Sequence, residues 1–169
     1  MNAPYVNFDI SQLQQFRKKD LIRYVIPSLD IAPEGSVISL PTLEGEVSIS
    51  AGEETLVMIG PCRDLYPVTA TLFSQQYRII SGSAENVADL VRHMGWNPEF
   101  LRPCRLKVSS YVYAKAVDQD FRVFVREHNT SLYGKAGDYY VVNVDRPNQP
   151  YIIQADVLAQ TYEKVECIL

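Results

Sequence analysis

The chain repeats itself, and that constrains its fold more than any other feature. Shifted by 85 residues, 47–80 falls on 132–165 without a gap. Identical pairs are Ala51/Ala136, Gly52/Gly137, Val57/Val142, Tyr66/Tyr151, Ala70/Ala155, Gln75/Gln160 and Tyr77/Tyr162. Random pairing at such compositions gives about two identities over this length. Similar pairs fall where a fold needs them: Glu53/Asp138, Leu56/Val141, Ile59/Val144, Leu72/Val157, Phe73/Leu158 and Ile80/Val165. Self-similarity at a fixed spacing is the mark of a duplicated structural unit.

Each copy reads as β-rich. In the second, Phe121–Val125 and the run from Ser131 to Gly134 flank the polar Glu127–Asn129, a hairpin pattern. Ala136-Gly137-Asp138 then turns the chain, because Gly reaches positive φ cheaply and Asp binds its own backbone. A strand follows from Asp138 through Val144, rich in aromatic and β-branched residues. The stretch from Asp145 to Pro150 reads as a turn, since Pro147 and Pro150 cannot donate to a sheet. Tyr151–Ile153 is a further strand, and Gln154–Tyr162 opens as a short helical turn. The first copy repeats this order, with Gly52 at the turn equivalent to Gly137.

The clearest helix lies between the copies, at 83–95. Ser83 caps it, Val87, Leu90, Val91 and Met94 form one apolar stripe, and Gly95 stops it. A second helix is expected near the N-terminus, capped by Asp9 or Ser11 and striped by Ile10, Leu13 and Phe16. The expected fold is therefore α+β: two repeated small β-dominated units, each preceded by a helix, packed as one pseudo-symmetric body. The first unit takes 1–80 and the second 81–169.

Residues 42–77, and again 135–165, resemble a small domain of tailed-phage and prophage proteins, the PGDYG-like domain. The similarity rests on a TLEG-type hairpin, a Gly-Asp-aromatic turn and strand, a Tyr-containing strand and a short closing helix. Gly137-Asp138-Tyr139 fits that signature, whereas Gly52-Glu53-Glu54 lacks the Asp, and both copies have Ala before the Gly. Phe16-Arg17-Lys18-Lys19 is similar to the basic opening strand of such proteins. The resemblance implies a fold and a phage-type setting; it implies no activity.

Catalytic patterns are missing from the sequence. A zinc site draws on spacings such as CxxC or HExxH, and neither occurs. His93 suits a helix C-terminus, and His128 falls in a polar turn. Cys62 beside Arg63, and Cys104 close to Arg102 and Arg105, are the candidate thiolates, but only two histidines could serve as base. Neither GxSxG nor a phosphate loop is present. The chain is therefore read as a non-enzyme with no metal or cofactor.

Binding residues are more prominent. Eleven tyrosines stand against one tryptophan. Tyr139 and Tyr140 are adjacent in a strand and must face opposite ways, so one enters the core and the other faces out. Tyr111 and Tyr113 share a face. These four, with Tyr151, are candidates for a recognition surface, tyrosine being large, rigid and able to hydrogen-bond. Arg17, Arg102 and Arg105 supply positive charge to it, and Asp138 counts among the same candidate binding residues.

The 169 residues carry 16 basic and 20 acidic side chains, a net charge of −4. That balance argues against nucleic acid, whose affinity comes from neutralised phosphates. The N-terminus lacks a signal-like pattern, no apolar run is long enough to cross a bilayer, and Cys62, Cys104 and Cys167 form no disulfide framework. The expected setting is cytoplasmic, with no membrane partner. The expected function is that of a phage- or prophage-type accessory or immunity-like factor binding a protein partner; a homodimer is also open. The alternative is a small nucleotide-like anion bound between the copies.

Overall fold

Short runs of β-branched and aromatic residues, cut by Gly, Pro and Asp, leave little room for anything but strands. The structure, a computed structural model, describes residues 2–43, 45–126 and 129–166. In chain order it begins with β1 (Gln14–Lys18), β2 (Arg23–Pro27), β3 (Val37–Thr42), β4 (Gly45–Ser50) and β5 (Thr55–Ile59). There follow β6 (Leu65–Thr69), α1 (Ala70–Gln76), β7 (Tyr77–Ile79), α2 (Glu85–His93) and β8 (Arg102–Leu106). The last part holds β9 (Tyr111–Ala116), β10 (Phe121–Val125), β11 (Thr130–Gly134), β12 (Tyr139–Asn143), β13 (Arg146–Ile153), α3 (Ala155–Thr161) and β14 (Tyr162–Lys164). This is an α+β architecture of helices and antiparallel sheets.

The chain divides into two compact units, though not at 1–80 and 81–169. One is contiguous, Asp20–Val108; the other is composite, Met1–Lys19 together with Ser109–Leu169. Sheet pairing explains the difference, because β1 bonds to β9 and β14 rather than to β2.

The contiguous unit has a five-stranded sheet in the order β6-β5-β2-β8-β7 and a separate β3–β4 hairpin. Alternation sends Tyr24, Ile26, Val57 and Ile59 to one face, where they pack with Ile38 and Leu40 of the hairpin and Val87 and Val91 of α2. Val25, Met58 and Cys104 cover the other face with Phe73 and Tyr77. Ser83 Oγ accepts the Glu85 N–H (3.1 Å) at the start of α2, and Gly95 follows its end at φ +80°.

The composite unit has a sheet in the order β13-β12-β9-β1-β14 and the β10–β11 hairpin. Tyr140 and Val142 pack with Phe121 and Val123 of the hairpin. On the opposite face Val112, Ala114 and Val141 pack with Leu158 of α3, joined by Phe16, Tyr139, Tyr151 and Tyr162. Both α1 and α3 run straight into a three-residue strand, β7 and β14.

Two expectations are corrected. The N-terminal helix striped by Ile10, Leu13 and Phe16 is only a 3-10 turn at Ile10–Gln12, after which the chain enters β1. A short isolated helix is marginal, whereas β1 gains a partner on each side. The Asp145–Pro150 turn is largely strand, since β13 contains both Pro147 and Pro150. It lies at the sheet edge, where a residue without an N–H is tolerated, and its register jumps between Val141 and Asn143 of β12.

Candidate functional site

The residues nominated by the sequence do not assemble into one site. Tyr140 is 1% exposed. Its ring meets Phe8 edge-on at 5.1 Å, its hydroxyl donates to Asn7 Oδ1 (3.2 Å), and burial pushes its ionisation up. Tyr139 does face the other way, but onto Phe16 at 5.9 Å rather than into solvent. Tyr151 is half-buried in the same cluster and donates to Asn143 Oδ1 (3.3 Å), while Tyr113 packs against the cluster that holds Tyr140. These four are core residues first, because both faces of their sheet are covered.

Tyr111 is exposed and sits opposite Arg17 in the β1–β9 register. Arg17 is held by Glu163 through Nε (2.8 Å) and Nη2 (2.6 Å), which keeps the guanidinium more firmly protonated. Asp138 accepts the backbone N–H of Lys135 (3.0 Å) and of Ala155 (3.3 Å), fastening the turn to the start of α3. Arg102 donates to the carbonyls of Glu99 and Leu101. Gly137 has φ +96°; Gly52 does not have positive φ, and instead exchanges two 2.9 Å hydrogen bonds with Ser28 Oγ. His128 and Cys167 lie outside the described residues. Among the described residues no three His, Cys, Asp or Glu side chains converge, and no helix is long and apolar enough to cross a membrane.

Arg105 lines a cleft of about 500 Å³ in the contiguous unit, with Asp20, Tyr24, Gly60, Arg63 and Asn86. Arg63 stands at φ +61°, donates to the Asn86 carbonyl (2.7 Å) and grips both carboxylate oxygens of Asp89 at 3.0 Å. That contact lowers the Asp89 ionisation below the usual carboxylate range. Arg105 Nε is buried with no hydrogen-bond partner. Of the two guanidinium groups that line the cleft, Arg63 is thus already paired with a carboxylate.

A different surface emerges on the composite unit. In the β10–β11 register Arg122 lies opposite Tyr133 and Phe124 opposite Ser131, so all four share a face. The alternate residues Phe121, Val123 and Val125 are buried beneath. Tyr5 joins the same face: it bridges to Arg122, its ring lies 4.0 Å from the Arg122 guanidinium, and its hydroxyl bonds Ser131 Oγ at 2.8 Å. Three rings are left open to solvent, Tyr133 at 74%, Tyr5 at 52% and Phe124 at 45%. The period-two pattern of Phe121–Val125 could have revealed Phe124; the contribution of Tyr5 could not be seen, since it comes from more than a hundred residues away.

No protein family, curated protein or solved structure matches this chain.

Proposed function

We propose that this is a non-enzymatic binding protein that recognises a protein partner through Tyr5, Arg122, Phe124 and Tyr133. The observation that carries this reading is three solvent-facing rings gathered on one hairpin face around an arginine. Tyr and Arg dominate the energetics of protein interfaces, because they bury large areas at small entropic cost. The Arg122–Tyr5 stack holds two of the groups in place before any partner arrives. The setting we propose is the phage- or prophage-type accessory role implied by the resemblance of 42–77 and 135–165.

We also propose that the two units descend from one duplicated module. Support comes from α1 and α3, and from β7 and β14, whose bounds all differ by 85 residues. Corresponding strands take the same order in the two sheets. Leu56/Val141, Tyr66/Tyr151, Val68/Ile153, Phe73/Leu158 and Tyr77/Tyr162 line the same face of each.

A photo-crosslinking residue at position 133 or 124, introduced in the native host, tests the binding surface. One defined protein adduct is expected at both positions and none from Ser48 on the β3–β4 hairpin, with Tyr5→Ala weakening capture about tenfold. Equal capture from Ser48, or no adduct at either aromatic position, overturns the reading. An adduct at twice the chain mass would make the partner a second copy.

A further inference from the structure

We infer that β1 and β8 are exchanged between the two copies of the module, so that each copy's sheet is completed by the first strand of the other. The inference rests on the duplication proposed above and says what partner the module's open strand slot accepts: another copy of itself. In the contiguous unit the slot lies between β2 and β7 and holds β8; in the composite unit it lies between β9 and β14 and holds β1. By sequence, β1 leads into β2 through residues 19–22, and β8 leads into β9 through residues 107–110. Connections this short ordinarily make hairpins of the strands they join. Neither pair is adjacent in any sheet, and each connection instead carries the chain from one unit into the other.

The two slots are fastened in the same way. Just beyond β1, the Lys19 N–H donates to the Thr161 carbonyl (2.8 Å) and Lys19 Nζ to the Ala159 carbonyl (3.0 Å). Just beyond β8, the Lys107 N–H donates to the Gln76 carbonyl (2.7 Å) and Lys107 Nζ to the Ser74 carbonyl (3.3 Å). Thr161 and Gln76 are the last residues of α3 and α1, and Ala159 and Ser74 lie two residues before them. In each unit one lysine thus satisfies carbonyls at the end of the helix, where no intrahelical partner remains and the dipole favours a cation. Within the slots, Phe16 of β1 joins the core of the composite unit, and Cys104 of β8 is fully buried in that of the contiguous unit.

Because each copy's first strand is drawn into the other sheet, each sheet here is complete only through a strand of the other copy. A single module is satisfied by a second chain, and in this protein the covalent link supplies that second copy. The chain is the tethered form of a strand-exchanged dimer.

The test uses the full-length protein with a protease site placed in 81–84, between β7 and α2. After cleavage, native mass spectrometry is expected to find the two fragments together at the mass of the uncut chain, separating only in denaturant. Phe16→Ala in the uncut chain is expected to speed hydrogen exchange roughly tenfold in 109–166 and to leave 23–106 unchanged. Lys107→Ala is expected to do the converse, loosening 70–79 alone. Fragments that part as two folded pieces, or a Phe16→Ala effect confined to 23–79, overturn the exchange. Failure of the duplication would show differently, as two sheets whose strands do not superpose, whatever the cut chain does.

Discussion

Two hairpins, β3–β4 and β10–β11, do the same structural job and present opposite surfaces. Each turns apolar residues inward, Ile38 and Leu40 in one, Phe121 and Val123 in the other. The outward pairs of β3–β4 are Val37 with Ser50, Ser39 with Ser48 and Pro41 with Glu46, and Ser39 hydrogen-bonds Glu46. The outward face of β10–β11 carries Phe124, Tyr133 and Arg122, with Tyr5 laid across it. A hairpin of this design therefore needs no exposed aromatics in order to fold. The rings on β10–β11 cost solubility without serving the core, and that difference makes them the better candidates for recognition.

The units differ in a second way, since only one is contiguous, and the largest predicted effect exploits this. Residues 20–108 expressed alone are expected to fold, giving dispersed amide NMR signals and cooperative urea unfolding. Residues 109–169 alone are expected to stay unfolded until a peptide covering 1–19 is added. Neither 1–80 nor 81–169 is expected to yield a folded monomer, because each lacks a strand from the middle of a sheet. A folded, monomeric 1–80 would erase the distinction between the units.

A smaller effect separates the two equivalent turns. Gly137→Val places a β-branched residue at φ +96° and is expected to cost about 1–3 kcal/mol. Gly52 has ordinary φ and open space where a Cβ would stand, so Gly52→Val is expected to stay within about 0.5 kcal/mol. Urea midpoints measure both, and equal losses would show that the turns are alike after all.

The smallest effect is in alkali. Burial, with Tyr77 adjacent, raises the Tyr66 hydroxyl well above the ordinary phenol range, and Arg23 only partly opposes this. A folded-state value above the unfolded one gives stability that is complete below about pH 10 and lost as pH rises further. Tyr66→Phe is therefore expected to shrink the fall in urea midpoint between about pH 9 and 11, with hydrogen exchange placing the change in the contiguous unit. An undiminished fall would place the alkaline weakness elsewhere.

Much of the local structure is legible in the sequence. The α2 stripe, the Gly137 turn and the alternation of Phe121–Val125 are properties of near neighbours, and near neighbours set them. The N-terminal segment shows where that stops: Ile10, Leu13 and Phe16 have helical spacing, yet Gln14–Lys18 is a strand, because β9 and β14 offer bonds that no local pattern records. Pro147 and Pro150 mislead for the same reason, since their cost depends on whether β13 is an edge. The tyrosines were legible in number but not in exposure. Adjacent Tyr139 and Tyr140 do point opposite ways, and both sides turn out to be covered.

The sequence by itself determined the alternation of Phe121–Val125, the Gly137 turn and helix α2, which follow from side-chain chemistry within a few residues, and it carries the 85-residue echo. Only the tertiary structure decided which strand fills which slot, which rings stay in solvent, and where one unit ends. Sheet bonds are indifferent to distance along the chain: Arg17 and Glu163 pair across 146 residues, and no reading of neighbours can supply such a contact.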